Sequence, residues 1–185
     1  MTGEHLPADI QELLALFQRH EVRYLLVGGE AVIHHGYPRL TGDVDFFYDR
    51  SPANARRLFR ALADFWGGHV PAVGSADELA EPDVILQYGR PPNRIDLIST
   101  LGTVSFGRAW RRRVVDKLRG RRPRVLVHII GLPDLLQSKR DAGRHKDLED
   151  IEALTAVAAR GPGQKRLRRG ADAPQPSKLP RARKR

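Results

Sequence analysis

An α/β fold (α+β in layout), with a mixed central sheet and flanking helices, is the class this sequence predicts. Three observations carry it. Short apolar runs of strand length alternate along the chain with segments whose apolar residues recur at helical spacing. Two of the runs, 83–88 and 94–99, flank Gly89-Arg90-Pro91-Pro92-Asn93 and read as a hairpin, so part of the sheet is antiparallel. A diglycine, Gly28-Gly29, closes an early apolar run and leads into a helix, as strand–turn–helix units do.

The elements follow in order. Ile10, Leu13, Leu14 and Phe17 recur at helical spacing after Pro7, which predicts an amphipathic helix over 8–20. "YLLV" (24–27) is a short buried strand, and 30–36 suit a short helix stopped by Gly36 and Pro38. "VDFFY" (44–48) is the next strand. Ser51 caps, and Pro52 opens, a helix reaching Ala63, because proline lacks the N–H that a first helical position leaves unpaired anyway. After the hairpin, residues 105–122 are rich in arginine and show neither period. "RVLVHII" (124–130) is the last strand, and 132–142 and 147–159 read as two helices around Gly143.

The net charge of +10 misleads as an average. From Gly161 onward there are nine Lys/Arg against one acid, Asp172, so these residues carry +8 and the rest of the chain only +2. Apolar periodicity almost vanishes there, which predicts a folded domain over 1–160 and a disordered basic tail over 161–185. Phosphate neutralisation by that tail is one reading and a flexible extension is the other. The absence of cysteine excludes disulfides, thiolate catalysis and thiolate metal sites. No apolar run is long enough to span a membrane and the N-terminus lacks a secretory pattern, so a cytoplasmic protein without a membrane partner is expected.

Asp43 and Asp45 open the strand 44–48, where carboxylates are poor residues. Alternate strand side chains share a face, so Asp43, Asp45 and Phe47 point one way while Val44 and Phe46 point into the core. Two carboxylates held side by side suit a divalent cation of the oxygen-seeking Mg²⁺ type; without one, a pKa should rise. Asp96, between Ile95 and Leu97, points away from the core in the same manner. If its strand lies beside 44–48, three carboxylates meet, enough for two metal ions and in-line displacement at phosphorus. Gly28-Gly29 lets backbone N–H groups approach an anion. Phosphate beside the glycines and metal beside the aspartates would make a nucleoside-triphosphate site. Either motif alone is common in turns; their combination with a third strand-borne aspartate carries the reading. Arg39 and Thr41, just ahead of Asp43, are candidate phosphate or metal-orienting groups, or else part of a solvated loop.

"VGGEAVIHHGYPRLTGDVDFF" resembles the signature of the DNA polymerase β-like nucleotidyltransferase superfamily: a glycine pair, a spacer (here thirteen residues), then D-x-D. "RLTGDVDF" is most similar to the minimal bacterial branch that includes AbiEii-type toxins. "RIDLIS" matches the strand of the third carboxylate, and "LLQSKRDAGRHKDLEDIEAL" resembles that branch's C-terminal segment. The resemblance spans 22–155. It implies a polymerase β-like core, Mg²⁺ (with Mn²⁺ as the alternative ion), and NMP transfer from an NTP such as ATP to a hydroxyl acceptor. In these terms Asp43, Asp45 and Asp96 are the metal-binding catalytic residues, Gly28 and Gly29 cradle phosphate, and Lys139 faces the triphosphate. The acceptor is open among tRNA or other RNA, protein and small molecule, and a cognate toxin or antitoxin is a candidate partner. The other class of reading is a catalytically inactive nucleotide- or RNA-binding partner in a toxin–antitoxin pair.

Lys139 falls on the stripe of Leu132, Leu135 and Leu136, where a hydrophobe is expected; without the resemblance, a lysine snorkelling to water is an equal reading. Asp147 shares a stripe with Ile151, Leu154 and Ala158, and is expected to pair with Lys139 or Arg144 or to complement the helix dipole. His34, His35, His128 and His145 have no metal-ligand spacing. Trp66 and Trp110 read as core or edge aromatics. The arginines at 111–113, 119, 121, 122 and 124 read as a solvated basic face, with an RNA or nucleotide contact as the minority alternative.

Overall fold

The computed structural model describes residues 6–91, 93–118 and 124–160; the predicted tail lies outside them. α1 (Ala8–Arg19) buries Ile10, Leu13, Leu14 and Phe17, the four residues its spacing selects. β1 (Tyr24–Leu26) leads into α2 (Gly28–His34), and β2 (Asp43–Tyr48) into α3 (Pro52–Phe65). A single turn of 3₁₀ helix, Glu78–Ala80, precedes the hairpin of β3 (Ile85–Tyr88) and β4 (Arg94–Ile98). Then come α4 (Phe106–Arg111), β5 (Val114–Lys117), β6 (Leu126–Ile129), α5 (Leu132–Ala142) and α6 (His145–Ala159).

These strands form one mixed sheet in the order β3-β4-β2-β1-β6-β5. β1 runs antiparallel to β2, and β4 parallel to β2. On one face Tyr24 and Phe46 pack under α1, where Phe17 meets them with ring centroids 5.0 and 5.5 Å away. The opposite face was expected to carry Asp43, Asp45 and Phe47 outward. It splits instead: Phe47 is only 2% exposed and its ring lies 5.2 Å from that of Phe106 on α4, while the carboxylate end stays open. α4 thus closes the far half of this face and leaves a cleft over the near half.

Two elements lie in the arginine-rich stretch where neither period was legible. α4 has six residues, too few for an apolar stripe, and β5 is an edge strand whose Val114 and Val115 remain partly exposed. α2 begins at Gly28 rather than residue 30, the glycine pair forming its first turn. Gly143 closes α5 in the left-handed region at φ 61°, a conformation that costs glycine nothing, and α6 starts two residues later. Trp66 and Trp110 are packed aromatics: Trp66 lies 4.3 Å from Tyr88, and Trp110 stacks on Phe106 at 5.8 Å. Among the described residues no helix is long and apolar enough to cross a membrane.

Candidate active site

The strand register brings the three aspartates together. Asp43 lies opposite Arg94, and Asp45 directly opposite Asp96. Each of the three offers a carboxylate oxygen within 4.8 Å of the others. Like charges facing each other across a sheet repel, and the side chains around them show how that repulsion is met. Arg94 bridges two of the three: Nη2 donates to Asp43 Oδ2 (2.8 Å) and Asp96 Oδ2 (2.9 Å), and Nε to Asp96 Oδ1 (2.8 Å). Gln87, opposite Asp96 on β3, adds a bond to Asp96 Oδ2 at 3.0 Å. Thr41 Oγ1 donates to Asp43 Oδ1 at 3.0 Å.

Asp45 has no such partner. No Lys or Arg among the described residues lies within ion-pair distance of it. Burial first, then the charges of Asp43 and Asp96, push its carboxyl up to about 6. That negative charge, which the charges of Lys139 and Lys146 offset only in part, is framed by two more carboxylates; together they are a donor set of hard oxygens that fits a divalent cation of the Mg²⁺ or Mn²⁺ kind.

The glycine pair sits against this set. Gly28 adopts φ 58°, and a Cβ there would overlap the Asp45 carboxylate; a Cβ on Gly29 would overlap the Thr41 side chain. Both positions therefore need a residue without a side chain, and α2 can start hard against the carboxylates. A cavity of about 260 Å³ opens here, bordered by Gly28, Gly29, Asp45, Arg94, Lys139 and Lys146.

Lys139 and Arg39 reach this cavity from a second charge cluster. Lys139, 4% exposed, places Nζ 2.7 Å from Asp147 and 2.8 Å from Asp150. Arg39 grips Asp150 with two bonds, Nε–Oδ1 at 2.7 Å and Nη2–Oδ2 at 3.0 Å. Arg144 Nε donates to Asp147 at 2.7 Å. The result is a run of alternating charges, Arg39–Asp150–Lys139–Asp147–Arg144, tying the loop before β2 to α5 and α6. Burial pushes the Asp147 carboxyl upward, but the bonds from Arg144 and Lys139 outweigh it and hold it below the usual range. Asp150 is held low against the same burial by Arg39 and Lys139. Lys139 therefore snorkels nowhere, and Asp147 pairs with both of its expected partners.

Four residues of the site were not assigned from the sequence, and Lys146, on the border of the cavity, is one of them. Arg94 stands two residues before Asp96, and the alternation that turned Asp96 outward turns Arg94 the same way. Gln87 follows from the hairpin register. Asp150 is one helical turn from Asp147, but its partners come from two other elements. Among the described residues no histidine joins the three carboxylates; His35 Nε2 lies 2.8 Å from the Ile130 carbonyl, and His34 3.8 Å from Asp116. Of the arginine-rich stretch, Arg108 and Arg112 approach Asp134 at 3.3 and 3.8 Å, while Arg119, Arg121 and Arg122 lie outside the described residues.

A mixed sheet that sets a glycine turn against strand-borne aspartates, one pair adjacent and one across the ladder, has the layout of a nucleotidyltransferase-like core. The sequence comparison agrees: residues 4–159 match the family described as nucleotidyltransferases of unknown function (DUF6036), and the chain belongs to that family. None of the curated proteins compared with the chain matches it.

Proposed function

We propose that this nucleotidyltransferase moves an NMP from an NTP to a hydroxyl acceptor with the help of Mg²⁺ held by Asp43, Asp45 and Asp96. The observation that carries the reading is the convergence of three carboxylates within 4.8 Å beside the Gly28-Gly29 turn. A bound divalent cation would supply positive charge against the phosphate oxygens and favour ionisation of the acceptor hydroxyl. Gly28 and Gly29 leave room for the phosphates to approach the backbone. Asp96 is the group to receive the acceptor's proton; the freed oxygen attacks the α-phosphorus in line and pyrophosphate leaves. Lys139, Arg144 and Lys146 border the cavity and offset charge on the leaving group, while Arg39 and Thr41 hold the approach to Asp43 in shape.

A second cavity of about 490 Å³, walled by Ile33, Pro38, Leu40 and Val44, also borders Asp43 and supports an acceptor position there. RNA, protein and small molecule all stay candidates for the acceptor, and kinship with AbiEii-type toxins, with a cognate partner protein, belongs to the same proposal. One observation favours a second reading, a nucleotide- or RNA-binding protein without turnover. Arg94 already neutralises two of the three carboxylates.

One experiment separates the readings. The chain is incubated with Mg²⁺ and each α-labelled NTP, in separate reactions with total RNA, cell protein or small hydroxylated molecules, beside an Asp43→Ala/Asp45→Ala control. Label on one pool, lost in the control, is expected. Nucleotide binding without label on any pool would sustain the second reading and end the first.

A further inference from the structure

At the end of the sheet remote from the carboxylates, a cavity of about 550 Å³ is lined by Arg23, Arg113, Arg124, Trp110 and His128. Tyr24, at its rim, pairs with Tyr48, five residues along β2 from Asp43. At about 3.4 Å per residue that is roughly 17 Å from the proposed metal site. The three arginines face one carboxylate on the cavity wall, Glu21, which itself lies 3.8 Å from Arg57.

Positive charge is crowded here beyond what the described residues neutralise. The Arg113 and Arg23 guanidinium carbons lie 3.9 and 5.0 Å from the centroid of the same ring, Trp110. Arg23 has Asp49 at 3.0 Å, but its Nε–H is buried with no acceptor. Arg113 donates only to uncharged atoms, the Trp110 carbonyl at 2.6 Å and His128 Nδ1 at 3.2 Å. Among the described residues it has no carboxylate partner. Burial and then the charge of Arg23 hold the Arg113 pKa below its ordinary value, and burial and then Arg113 push His128 down to about 4. His128 is therefore neutral at pH 7 and accepts from Arg113 instead of competing with it.

We propose that this cavity is a second, anion-binding site that takes a phosphate group, with Arg113 and Arg124 as its main ligands and Trp110 as its floor. Guanidinium forks match phosphate oxygens two at a time, and an anion in this cavity would offset the repulsion between Arg113 and Arg23. A free nucleotide and the backbone of an RNA strand share this chemistry. The site stands apart from the carboxylates, so its occupancy does not depend on turnover there.

The test uses the full chain carrying Trp66→Phe, which leaves Trp110 as the sole tryptophan, in EDTA so that the carboxylate site contributes no metal-dependent binding. Inorganic phosphate, AMP and a twelve-nucleotide RNA are titrated separately while Trp110 emission is followed. A saturable change is expected with at least one, weakened about tenfold by Arg113→Gln or Arg124→Gln and unaltered by Asp45→Asn. Saturation by phosphate or AMP assigns a small ligand; saturation by the oligonucleotide alone assigns a strand. Arg124→Gln alters an exposed side chain and keeps the test decisive if Arg113→Gln unpacks Trp110. No saturable response, or equal affinity in Arg124→Gln, would overturn the site. So would RNA binding lost only when Lys165, Arg166, Arg168 and Arg169 are changed to serine, which would assign it to the tail.

Discussion

Arg94 and Asp45 divide the electrostatics of the carboxylate cluster between them. Arg94 supplies the positive charge that Asp43 and Asp96 need, and Asp45 is left to bear the repulsion. Removing the arginine should destabilise the metal-free protein. We expect Arg94→Gln to melt at a lower temperature in EDTA and to recover more on adding Mg²⁺ than the parent does; equal melting in EDTA would remove Arg94 from this role. Asp45 should behave in the opposite sense. Its folded-state pKa, about 6, stands above the ordinary value of 3.8, so between those values the folded chain binds more protons than the unfolded one. Stability therefore falls as pH rises through that window, and the whole deficit is present above about pH 6. Asp45→Asn cannot ionise and should be the more stable protein at pH 7.5 in EDTA, by on the order of 2 kcal/mol, with the gain gone near pH 4. Melting curves of the two proteins at both pH values check it, and a gain independent of pH would contradict it. Gly28 answers to sterics alone. Alanine there meets both a positive φ and the Asp45 carboxylate, so Gly28→Ala should lose stability and nucleotide binding together.

Between elements, the alternating charges from Arg39 to Arg144 do what apolar packing does elsewhere in the core. Lys139, Asp147 and Asp150 are all under 5% exposed, and each charge is matched only because three elements converge. Lys139→Met fills the space but takes one of two cations from each buried carboxylate, leaving Asp150 to Arg39 and Asp147 to Arg144, a loss on the order of 2–3 kcal/mol. If denaturant unfolding shows less than about 1 kcal/mol, the carboxylates have found other partners and the network is not holding α5 to α6. Both acids have depressed pKa values, so their contribution is present above the unfolded carboxylate range and is lost as pH falls through their folded values. This network marks the boundary of what the sequence made legible. Periodicity placed α1, the Ser51-Pro52 start placed α3, Gly143 divided α5 from α6, and strand alternation put Asp43, Asp45 and Asp96 on one face, because all of these depend on local geometry. The pairing of Arg39 with Asp150 depends on how a loop and a helix 111 positions apart are docked, and no local pattern carries that. α4 and β5 escaped for a different reason: arginines and an exposed edge leave no stripe to read.

For the whole molecule, the proposed metal site is a contact between elements distant in sequence. Asp43 and Asp45 come from β2, Asp96 from β4, and between those strands the chain runs out through α3 and back through the hairpin. The described residues build on one sheet and one hydrophobic core, so an ion gripping β2 and β4 stabilises the fold as a unit and not only a loop. An ion that binds the folded state and not the unfolded one adds RT ln(1 + [ion]/Kd), about 2.7 kcal/mol at a hundredfold excess over Kd. For a protein of this size that is a rise in melting temperature of roughly 5–10 °C. We expect such a rise with Mg²⁺ or Mn²⁺ at pH 7.5, and none in Asp43→Asn/Asp45→Asn. The proton that Asp45 takes up near pH 6 competes for the same oxygens, so the rise should shrink as pH falls below that value. Calcium is the informative contrast, since it tolerates looser oxygen cages than magnesium does. A rise of equal size in the double variant would mean that the ions act on the surface at large, and the three carboxylates would then be neighbours without a common ligand.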